Sequence, residues 1–362
     1  MFDFDGLEEA MEAKGHEPID IYATSDIHTD KRENMDVVRA WPVRPHGVLL
    51  LAGDVSNDLA IVRTTLELLI ERFRKVFYCP GNHDLWLHPK DGCKDSVEKF
   101  RKLEKLCEEL GVHTQPTWVD GVLIAPILSW YHAGFDAEPD ISDDSLVPVE
   151  QMMSDYMLCR WPNGLSARDG CDSLARYFDS LNDERAGEVP PKDADRPPVI
   201  SFSHFLPRPE LLPEKRLLYF PPIAKAVGSR HLGERIRRMA PDLHIFGHTH
   251  YGWSAQLDGT HYLQACVAYP RERTDRPFSV YCTGEEGQEA APPLLVYSHD
   301  GHRFPAYEGF WSKYYKVHPR CPHDLQWIYR PPRNQAAVTA AVRGFVGGQH
   351  GLVTDTAISA LL

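Results

Sequence analysis

Short, mainly apolar runs that each end in polar residues limit the folds open to this chain more than any other feature. Residues 19–24, 47–52 and 75–78 form three such runs, and each is too short to be a helix. Residues 31–41 and 58–74, which lie between them, have apolar side chains at helical spacing. Apolar strands that alternate with helices are typical of a sheet covered on both faces. The sequence therefore predicts a strand–helix–strand–helix–strand series in an α/β fold.

Each predicted strand is followed by polar side chains that can bind a metal ion. Two later predicted strands, residues 198–203 and 243–246, end in the same way. The residues at the five strand ends are Asp26 with His28, Asp54, Asn82 with His83, His204, and His248 with His250. Ligands of open α/β sheets bind beyond the carboxyl ends of the strands. We therefore expect these side chains to meet at one edge of the fold, although a single turn such as residues 82–84 is more often an ordinary hydrogen-bonded loop.

The residue types at the strand ends favour a transition metal. Carboxylate and amide oxygens mixed with imidazoles suit Mn²⁺, Fe or Zn²⁺, and the set has too many nitrogen donors for Ca²⁺. The seven potential ligands, His83 excluded, are too many for one ion and fit two ions that share a bridging carboxylate. Two such ions can clamp the attacking and leaving oxygens of a displacement at phosphorus, and they lower the pKa of a shared water. The set therefore points to phosphate chemistry.

The order of these motifs resembles that of one known family. D-x-H, G-D, G-N-H-D, a lone histidine after a strand, and G-H-x-H follow one another from Asp26 to His250, as in the calcineurin-like metallophosphoesterase superfamily. The resemblance implies a four-layer α/β/β/α sandwich with a dinuclear metal site at the strand ends. It also implies hydrolysis of a phosphate ester by attack of a metal-bridging hydroxide. Residues 81–86 and 247–253 are, in addition, similar to plant and algal members that have no assigned substrate.

The resemblance also implies a role for each site residue. The seven metal ligands would divide into two sets that share Asp54 as the bridge. The sets are Asp26, His28 and His250 for one ion, and Asn82, His204 and His248 for the other. His83 would be the general acid that protonates the leaving oxygen, held in place by a neighbouring carboxylate such as Asp84. Asn82 would also contact the substrate.

Two arginines of the phosphoprotein phosphatases in this superfamily are missing. Those enzymes have aspartate and arginine where this chain has Asn57 and Asp58, and no arginine follows the Asn-His pair here. Their arginines hold the substrate phosphate. Arg208, Arg271 and Arg273 are the candidates to replace them, and the alternative is that these are solvated arginines on surface loops.

The missing arginines favour a phosphodiester over a phosphomonoester, because a monoester dianion needs more positive charge at its non-bridging oxygens. We therefore expect a small phosphodiester or a nucleotide-type substrate. A phosphomonoesterase or phosphoprotein phosphatase is the alternative, and a catalytically silent metal-binding scaffold is the alternative from a different class. The net charge of −13 weighs against long nucleic acids, whose backbone is bound mostly by Lys and Arg.

The rest of the chain sets the expected context of this site. Residues 1–330 are predicted to form one domain, in which residues 129–198 are an irregular insertion that is either surface decoration or a lid. Residues 331–362 form a small apolar tail that is predicted to be a packed helix. The eight cysteines form no C-x-x-C pair, and the sequence has no secretory signal, transit peptide or membrane span. We therefore expect a cytoplasmic protein with no membrane partner, and the sequence leaves its oligomeric state open.

Overall fold

Two β-sheets face each other across a core of mainly aliphatic side chains. The computed structural model describes residues 19–328, except residues 163, 169, 186–188, 194, 286 and 301–302. The predicted tail helix, residues 331–362, lies outside the described residues.

Within the described residues, the strands share the two main sheets and one short hairpin. In chain order they are β1 (Asp20–Thr24), β2 (Arg44–Ala52), β3 (Phe73–Cys79), β4 (Thr117–Val119), β5 (Val122–Pro126), β6 (Val199–Phe202), β7 (Leu243–Phe246), β8 (Trp253–Leu257), β9 (Thr260–Gln264), β10 (Cys282–Thr283), β11 (Glu289–Ala290) and β12 (Leu294–Ser298). The first sheet has the order β12-β1-β2-β3 and the second β4-β5-β6-β7-β9-β8. Strands β1, β2 and β3 are parallel, as are β5, β6, β7 and β9, so their carboxyl ends lie at one edge of each sheet.

The first two described helices lie within the two stretches predicted to be helical, residues 31–41 and 58–74. In chain order the described helices are α1 (Arg32–Arg39), α2 (Leu59–Ile70), α3 (Asn82–Leu85), α4 (Ser96–Leu110), α5 (Val149–Met152), α6 (Asp155–Leu158), α7 (Ser173–Asp183), α8 (Arg230–Met239), α9 (Pro270–Asp275), α10 (Pro277–Val280) and α11 (Phe310–Val317). Short 3₁₀ helices cover Pro89–Asp91, Ala133–Phe135, Pro209–Leu211, Lys215–Leu217 and Pro221–Ala226. In the described residues, none of these helices combines the length and apolarity needed to cross a membrane.

The side chains of β2 alternate between two cores. Val48 and Leu50 belong to the core between the sheets, whereas Leu49 and Leu51 belong to the core under helices α2 and α4. Successive side chains of a strand point to opposite faces, so one strand supplies both cores. The outer face of the second sheet packs in the same way under α8 and α11. These layers confirm the predicted four-layer α/β/β/α sandwich.

Helix α2 and strand β8 illustrate how the structure departs from the prediction. Helix α2 ends at Ile70 rather than near residue 74, because Phe73 begins β3 and packs in the core beside that helix. An apolar residue at that position satisfies both the helical and the strand spacing, so the sequence does not separate them. Strand β8 was missed because it is an antiparallel edge strand whose residues are mostly half-buried, and it lacks the continuous apolar run of the central strands.

The irregular segment of residues 129–198 supplies part of the core, so it is more than surface decoration. Trp130, Tyr131 and Phe178 are almost fully buried in the core beside the first sheet. Phe178 lies on α7, and its ring meets that of Phe100 edge-on at 5.6 Å. Helix α7 is therefore anchored to α4.

Candidate metal centre

The predicted metal ligands sit in turns with an uncommon backbone conformation. Five of the seven have a positive φ, between 39° and 77°. They are Asp26, His28, Asp54, His248 and His250. Such conformations cost about 1–3 kcal/mol each in a non-glycine residue, and they concentrate at functional sites. The turns after β1 and β2 support each other, since the amides of Asp26 and His28 donate to the carbonyls of Gly53 (3.0 Å) and Asp54 (2.9 Å).

Two glycines allow these turns to approach each other. A Cβ at Gly81 would overlap the Asp54 Oδ1 atom. A Cβ at Gly53, whose φ is +81°, would lie 2.6 Å from both the amide nitrogen of Gly81 and His204 Nδ1. Only glycine therefore fits where the turns after β2 and β3 cross beneath the Asp54 carboxylate.

Four of the predicted ligands form the first half of the centre. Asp26, His28, Asp54 and His250 are buried, and each offers a ligand atom within 4.8 Å of the others. The Nε2 atoms of His28 and His250 are 3.1 Å apart, and His250 Nε2 lies 3.4 Å from Asp26 Oδ1. This spacing lets the four side chains converge on one ion.

The other predicted ligands form the second half around Asn82. The Asn82 Oδ1 atom lies 3.0 Å from His204 Nε2 and 3.0 Å from His248 Nδ1. Asp54 Oδ1 is 3.4 Å from His204 Nε2, while its Oδ2 is 3.9 Å from His28 Nε2. One oxygen of Asp54 thus faces each half, which is the placement that a bridging carboxylate requires.

The protonation equilibria of Asp54, His204 and His248 fit a cation site. Burial, followed by the charges of Asp26 and Asp84, raises the pKa of Asp54 well above its usual value, so a positive charge beside it is favourable. Burial also lowers the pKa of His204 and of His248 to about 4. These imidazoles are therefore neutral at pH 7, which is the form that binds a metal. The donor set fits divalent metal ions.

Partners behind the centre fix the orientation of three histidines. His204 Nδ1 lies 2.9 Å from the Ala52 carbonyl, and His248 Nε2 lies 3.0 Å from the Ala226 carbonyl. Each contact occupies one ring nitrogen and leaves the other for a metal ion, an arrangement typical of metal-binding histidines. The third histidine, His250, has a carboxylate in the same place.

That carboxylate is Glu272, which the sequence analysis missed. Its Oε2 lies 2.5 Å from His250 Nδ1 and also accepts the amide of Tyr269 at 3.0 Å. Burial opposes a charge on His250, but Glu272 and Asp26 outweigh it and raise the pKa of His250 to about 10. Proline at the start of α9 with glutamate two positions later is a helix-start signal. It could have placed Glu272 in a first turn, but not beside His250.

His83 lies at the edge of the centre, next to the cleft. Its Nε2 is 3.3 Å from the Tyr269 hydroxyl and 3.7 Å from Asp54 Oδ2. The ring of Trp86 packs against it with centroids 3.6 Å apart. Burial, followed by the charges of His28 and other neighbouring imidazoles, lowers the pKa of His83 well below 6.5. Its side chain is still 18% exposed, so it can reach a bound molecule.

Asp84 does not hold His83 as the sequence analysis expected. Its oxygens instead accept the backbone amides of Asp54 (2.9 Å), Val55 (2.8 Å), Ser56 (3.1 Å) and Gly81 (2.8 Å). The reason is geometric, because Asp84 lies in the single-turn helix α3 and its side chain turns back toward the loop after β2. Asp84 thus fixes the turn that presents Asp54.

The structure does not bring Arg208 or Arg271 to the centre. Arg208 is paired with Glu210 at 2.8 Å and with Asp258 at 2.6 Å. Arg271 is 73% exposed and pairs with Asp275 at 3.0 Å. Both arginines are therefore engaged by carboxylates outside the metal cluster, and the alternative of a surface role describes them better.

Arg273 is also engaged elsewhere, and a different arginine supports the centre. Arg273 donates to Asn34 Oδ1 at 2.7 Å and to carbonyls of its own loop. Arg276, which the sequence analysis did not select, donates to Glu272 Oε1 at 2.6 Å and to the carbonyl of His250 at 3.1 Å. Arg276 therefore acts behind His250 rather than on a substrate.

A buried lysine ties together two turns of the site. The Lys99 ammonium is fully buried and lies 2.9 Å from Asp91 Oδ2. It also donates to the carbonyl of Trp86 at 2.5 Å and to that of Asn57. The Lys99 ammonium therefore links the turn that carries Asp54 to the turn that carries His83.

The irregular segment of residues 129–198 reaches the centre through Asp155. This residue lies at the start of α6, and its Oδ1 accepts Asn82 Nδ2 at 2.8 Å and Trp86 Nε1 at 2.6 Å. The contact orients the Asn82 amide so that its oxygen faces His204 and His248. Sequence reasoning had no signal for this contact, since Asp155 is 73 positions from Asn82.

An open cleft of about 310 Å³ leads to the metal cluster. Metal ligands and their neighbours form one wall, and aliphatic side chains form much of the rest. The residues that line it are Asp54, Asn82, His83, Trp86, Met152, Met153, Ser154, Leu212, Leu218, Ile223, Val227, His248, Thr249, His250, Tyr251, Tyr269 and Glu272. In the described part of the chain, no lysine or arginine belongs to this lining.

Comparison with known proteins agrees with this geometry. The family model for the calcineurin-like phosphoesterases matches residues 19–252, which is more than half of the chain. The acyl-carrier-protein phosphodiesterase PptH of Mycobacterium tuberculosis is 28% identical over 283 residues, which cover 74% of this chain and 84% of that protein. The crystal structure of the phosphopantetheinyl hydrolase PptH from the same organism superposes with a TM-score of 0.59 at 24% identity, covering 76% of this chain and 96% of that chain. The superposition shows a shared fold.

Proposed function

Because the chain belongs to the calcineurin-like phosphoesterase family, and is therefore a metal-dependent hydrolase of phosphate esters, we propose that its substrate is a phosphodiester. The observation that carries this proposal is the absence of lysine and arginine from the described lining of the cleft. A monoester dianion would have to be held there by the metal centre alone. A diester monoanion makes a smaller demand for positive charge, which the centre can meet.

The seven predicted ligands would hold two divalent ions, with manganese, iron and zinc as the candidates. The proposed sets are Asp26, His28 and His250 on one side, and Asn82, His204 and His248 on the other, with Asp54 between them. When bound, such ions make hydroxide available near neutral pH and neutralise charge at the phosphate. Glu272 and Asp84 then act indirectly, by holding His250 and the Asp54 turn in place.

His83 is proposed to give a proton to the leaving oxygen. It borders both the metal cluster and the cleft, so a bound phosphodiester comes within its reach. The resting imidazole is neutral because its pKa is low. A bound anion places negative charge beside His83 and opposes that lowering of the pKa.

The name of PptH supports a phosphodiester linked to a carrier protein as one candidate substrate. A phosphate attached to a protein through such a diester carries a single negative charge, as the cleft lining favours. Long nucleic acids are disfavoured, since the cleft lacks lysine and arginine in its described lining and the net charge of the chain is −13. A cytoplasmic location and a single catalytic domain over residues 1–330 stay predictions of the sequence.

A side-by-side assay tests the proposal. The Mn²⁺-loaded protein is given bis-nitrophenyl phosphate and mononitrophenyl phosphate, and kcat/KM is measured for each on wild type and on Arg271→Ala. We expect the diester to be preferred and the variant to match wild type, because Arg271 is exposed and paired with Asp275. A clear monoester preference that collapses in the variant would overturn the proposal. Absence of turnover with both esters would favour the catalytically silent scaffold.

A further inference from the structure

One wall of the cleft is formed by aliphatic side chains that the metal chemistry does not use. Met152 and Met153 come from the end of α5, and the others come from the irregular chain that follows His204. Those others are Leu212, Leu218, Ile223 and Val227. None of the proposed metal ligands lies on either segment. We call these six side chains the aliphatic wall.

The aliphatic wall is held in place from behind. Leu218 is only 2% exposed and Val227 is 0% exposed, and both belong to the core under the second sheet. The Leu218 carbonyl accepts Trp327 Nε1 at 2.9 Å, and the Leu212 carbonyl accepts an Arg320 NH₂ group at 2.8 Å. This side of the cleft is therefore preformed rather than assembled around a ligand. Met152, which is 53% exposed, leaves an adaptable edge at the mouth.

The charged groups near the aliphatic wall are already paired. The ammonium of Lys215 lies 2.5 Å from Asp136 and 2.7 Å from Asp140, and Lys225 pairs with Asp140 at 2.7 Å. Neither lysine lines the cleft. A charged substituent would therefore find no partner on this wall and would lose its hydration, which is unfavourable. An uncharged, apolar substituent would gain by leaving water.

We infer that the aliphatic wall is a subsite for an uncharged, mainly aliphatic arm of the phosphodiester. The inference rests on the proposed function, since it takes the phosphate to sit at the metal centre in the same cleft. The cleft volume of about 310 Å³ lies at the lower end of the range for small-molecule sites. That space suits a phosphate with a short flexible arm better than a phosphate with a bulky one.

A series of alkyl nitrophenyl phosphates with methyl, butyl and hexyl arms tests the subsite in the Mn²⁺-loaded protein. Burying each added methylene is expected to raise kcat/KM on the order of twofold to fourfold until the wall is covered. Met153→Ser and Ile223→Ser should flatten this dependence. Met157→Ser is the matched control, because Met157 is 68% exposed and outside the cleft lining, and it should keep the dependence of wild type. Equal values for methyl and hexyl esters in wild type would overturn the inference, as would an unchanged slope in both wall variants.

Binding of alkanesulfonates separates this inference from the proposed function. These tetrahedral monoanions cannot be hydrolysed, and the fluorescence of the protein, which has Trp86 in the cleft, reports their binding. Affinity that rises from methane- to hexanesulfonate, and loses this trend in Met153→Ser, supports the subsite even if no diester is cleaved. Diester cleavage without any dependence on arm length, in either kcat/KM or sulfonate affinity, leaves the proposed function standing and contradicts the subsite.

Discussion

The two walls of the cleft are built in different ways. One wall, which we call the metal wall, contains the proposed metal ligands. These residues follow strands β1, β2, β3, β6 and β7, in turns that are joined by backbone hydrogen bonds. The aliphatic wall consists of residues from short helices and irregular segments, which are fixed by packing, by local backbone hydrogen bonds and by contacts from distant parts of the chain. The comparison suggests that the chemistry of this protein is set by the sheets, and its selectivity by the segments between them.

This difference also predicts how each wall responds to substitution. The metal wall combines positive φ angles, close glycine contacts and buried charges, so small changes should have large effects. A wall of aliphatic side chains gains its energy from buried area and tolerates exchanges of similar volume. We therefore expect the largest effects at the residues shared by both halves of the centre.

The largest effect is expected for Asp54→Asn. Each oxygen of Asp54 faces one half of the centre, so the substitution should weaken both metal sites together. Loss of an outer partner of a metal ligand typically costs ~10–100-fold in affinity, and loss of the bridge should exceed that. Metal content and kcat on a phosphodiester are the measurements. Asp275→Asn, a change of an exposed carboxylate, should alter neither. Loss of a single ion with the other fully retained would argue against a bridging role.

His83→Ala should keep the metal ions but lose most of the rate. General acid catalysis is worth ~10²–10⁴-fold, and the loss should be largest for a phosphodiester with a poor leaving group. With a nitrophenolate leaving group, which departs without a proton, the loss should shrink. The measurement is kcat for both kinds of ester at equal metal content. Equal losses for the two would remove His83 from the role of proton donor.

Lys99→Met tests the support that the two turns share. Removing one partner of a buried ion pair leaves Asp91 unpaired and typically costs ~3–5 kcal/mol in the free energy of unfolding. Chemical denaturation measures the loss, and Lys90→Met serves as the control because the Lys90 side chain is largely exposed. If the Lys99 variant is as stable as the control, the buried ammonium does not stabilise the two turns.

A smaller effect is expected for Glu272→Gln. The carboxylate holds His250 from behind, so its loss should lower metal affinity by ~10–100-fold without removing any ligand. Arg271→Ala, on the same helix but exposed, should leave the affinity unchanged. Titration of the metal-free variants with Mn²⁺ compares the two. If both bind like wild type, Glu272 does not position His250.

The metal ligands could be predicted from the sequence because each of them lies shortly after a strand. Asp26, Asp54 and Asn82 directly follow apolar strands, and parallel strands bring such positions to one edge of the fold. The same rule could not give the direction of a side chain, so the partner expected for Asp84 was wrong. Adjacency in sequence placed it near His83, but one helical turn directs its carboxylate to four backbone amides instead.

The remaining parts of the site depend on contacts between distant segments. Asp155 reaches Asn82 across 73 positions, and Glu272 reaches His250 only because of how the loop after β9 enters α9. In the sequence, Leu218 and Val227 look like ordinary core residues, and both do belong to the core under the second sheet. Their second role, lining the cleft, follows from the path of an irregular chain that has no periodic signal.

The metal centre is tested most simply by the metal content of the wild-type protein. After reconstitution with Mn²⁺ and removal of free metal, elemental analysis gives the number of ions per chain. Two halves of a centre that share Asp54 predict about two ions per chain. A value no higher than that of a serum-protein blank treated in the same way would contradict the metal centre, and with it the proposed phosphodiester hydrolysis.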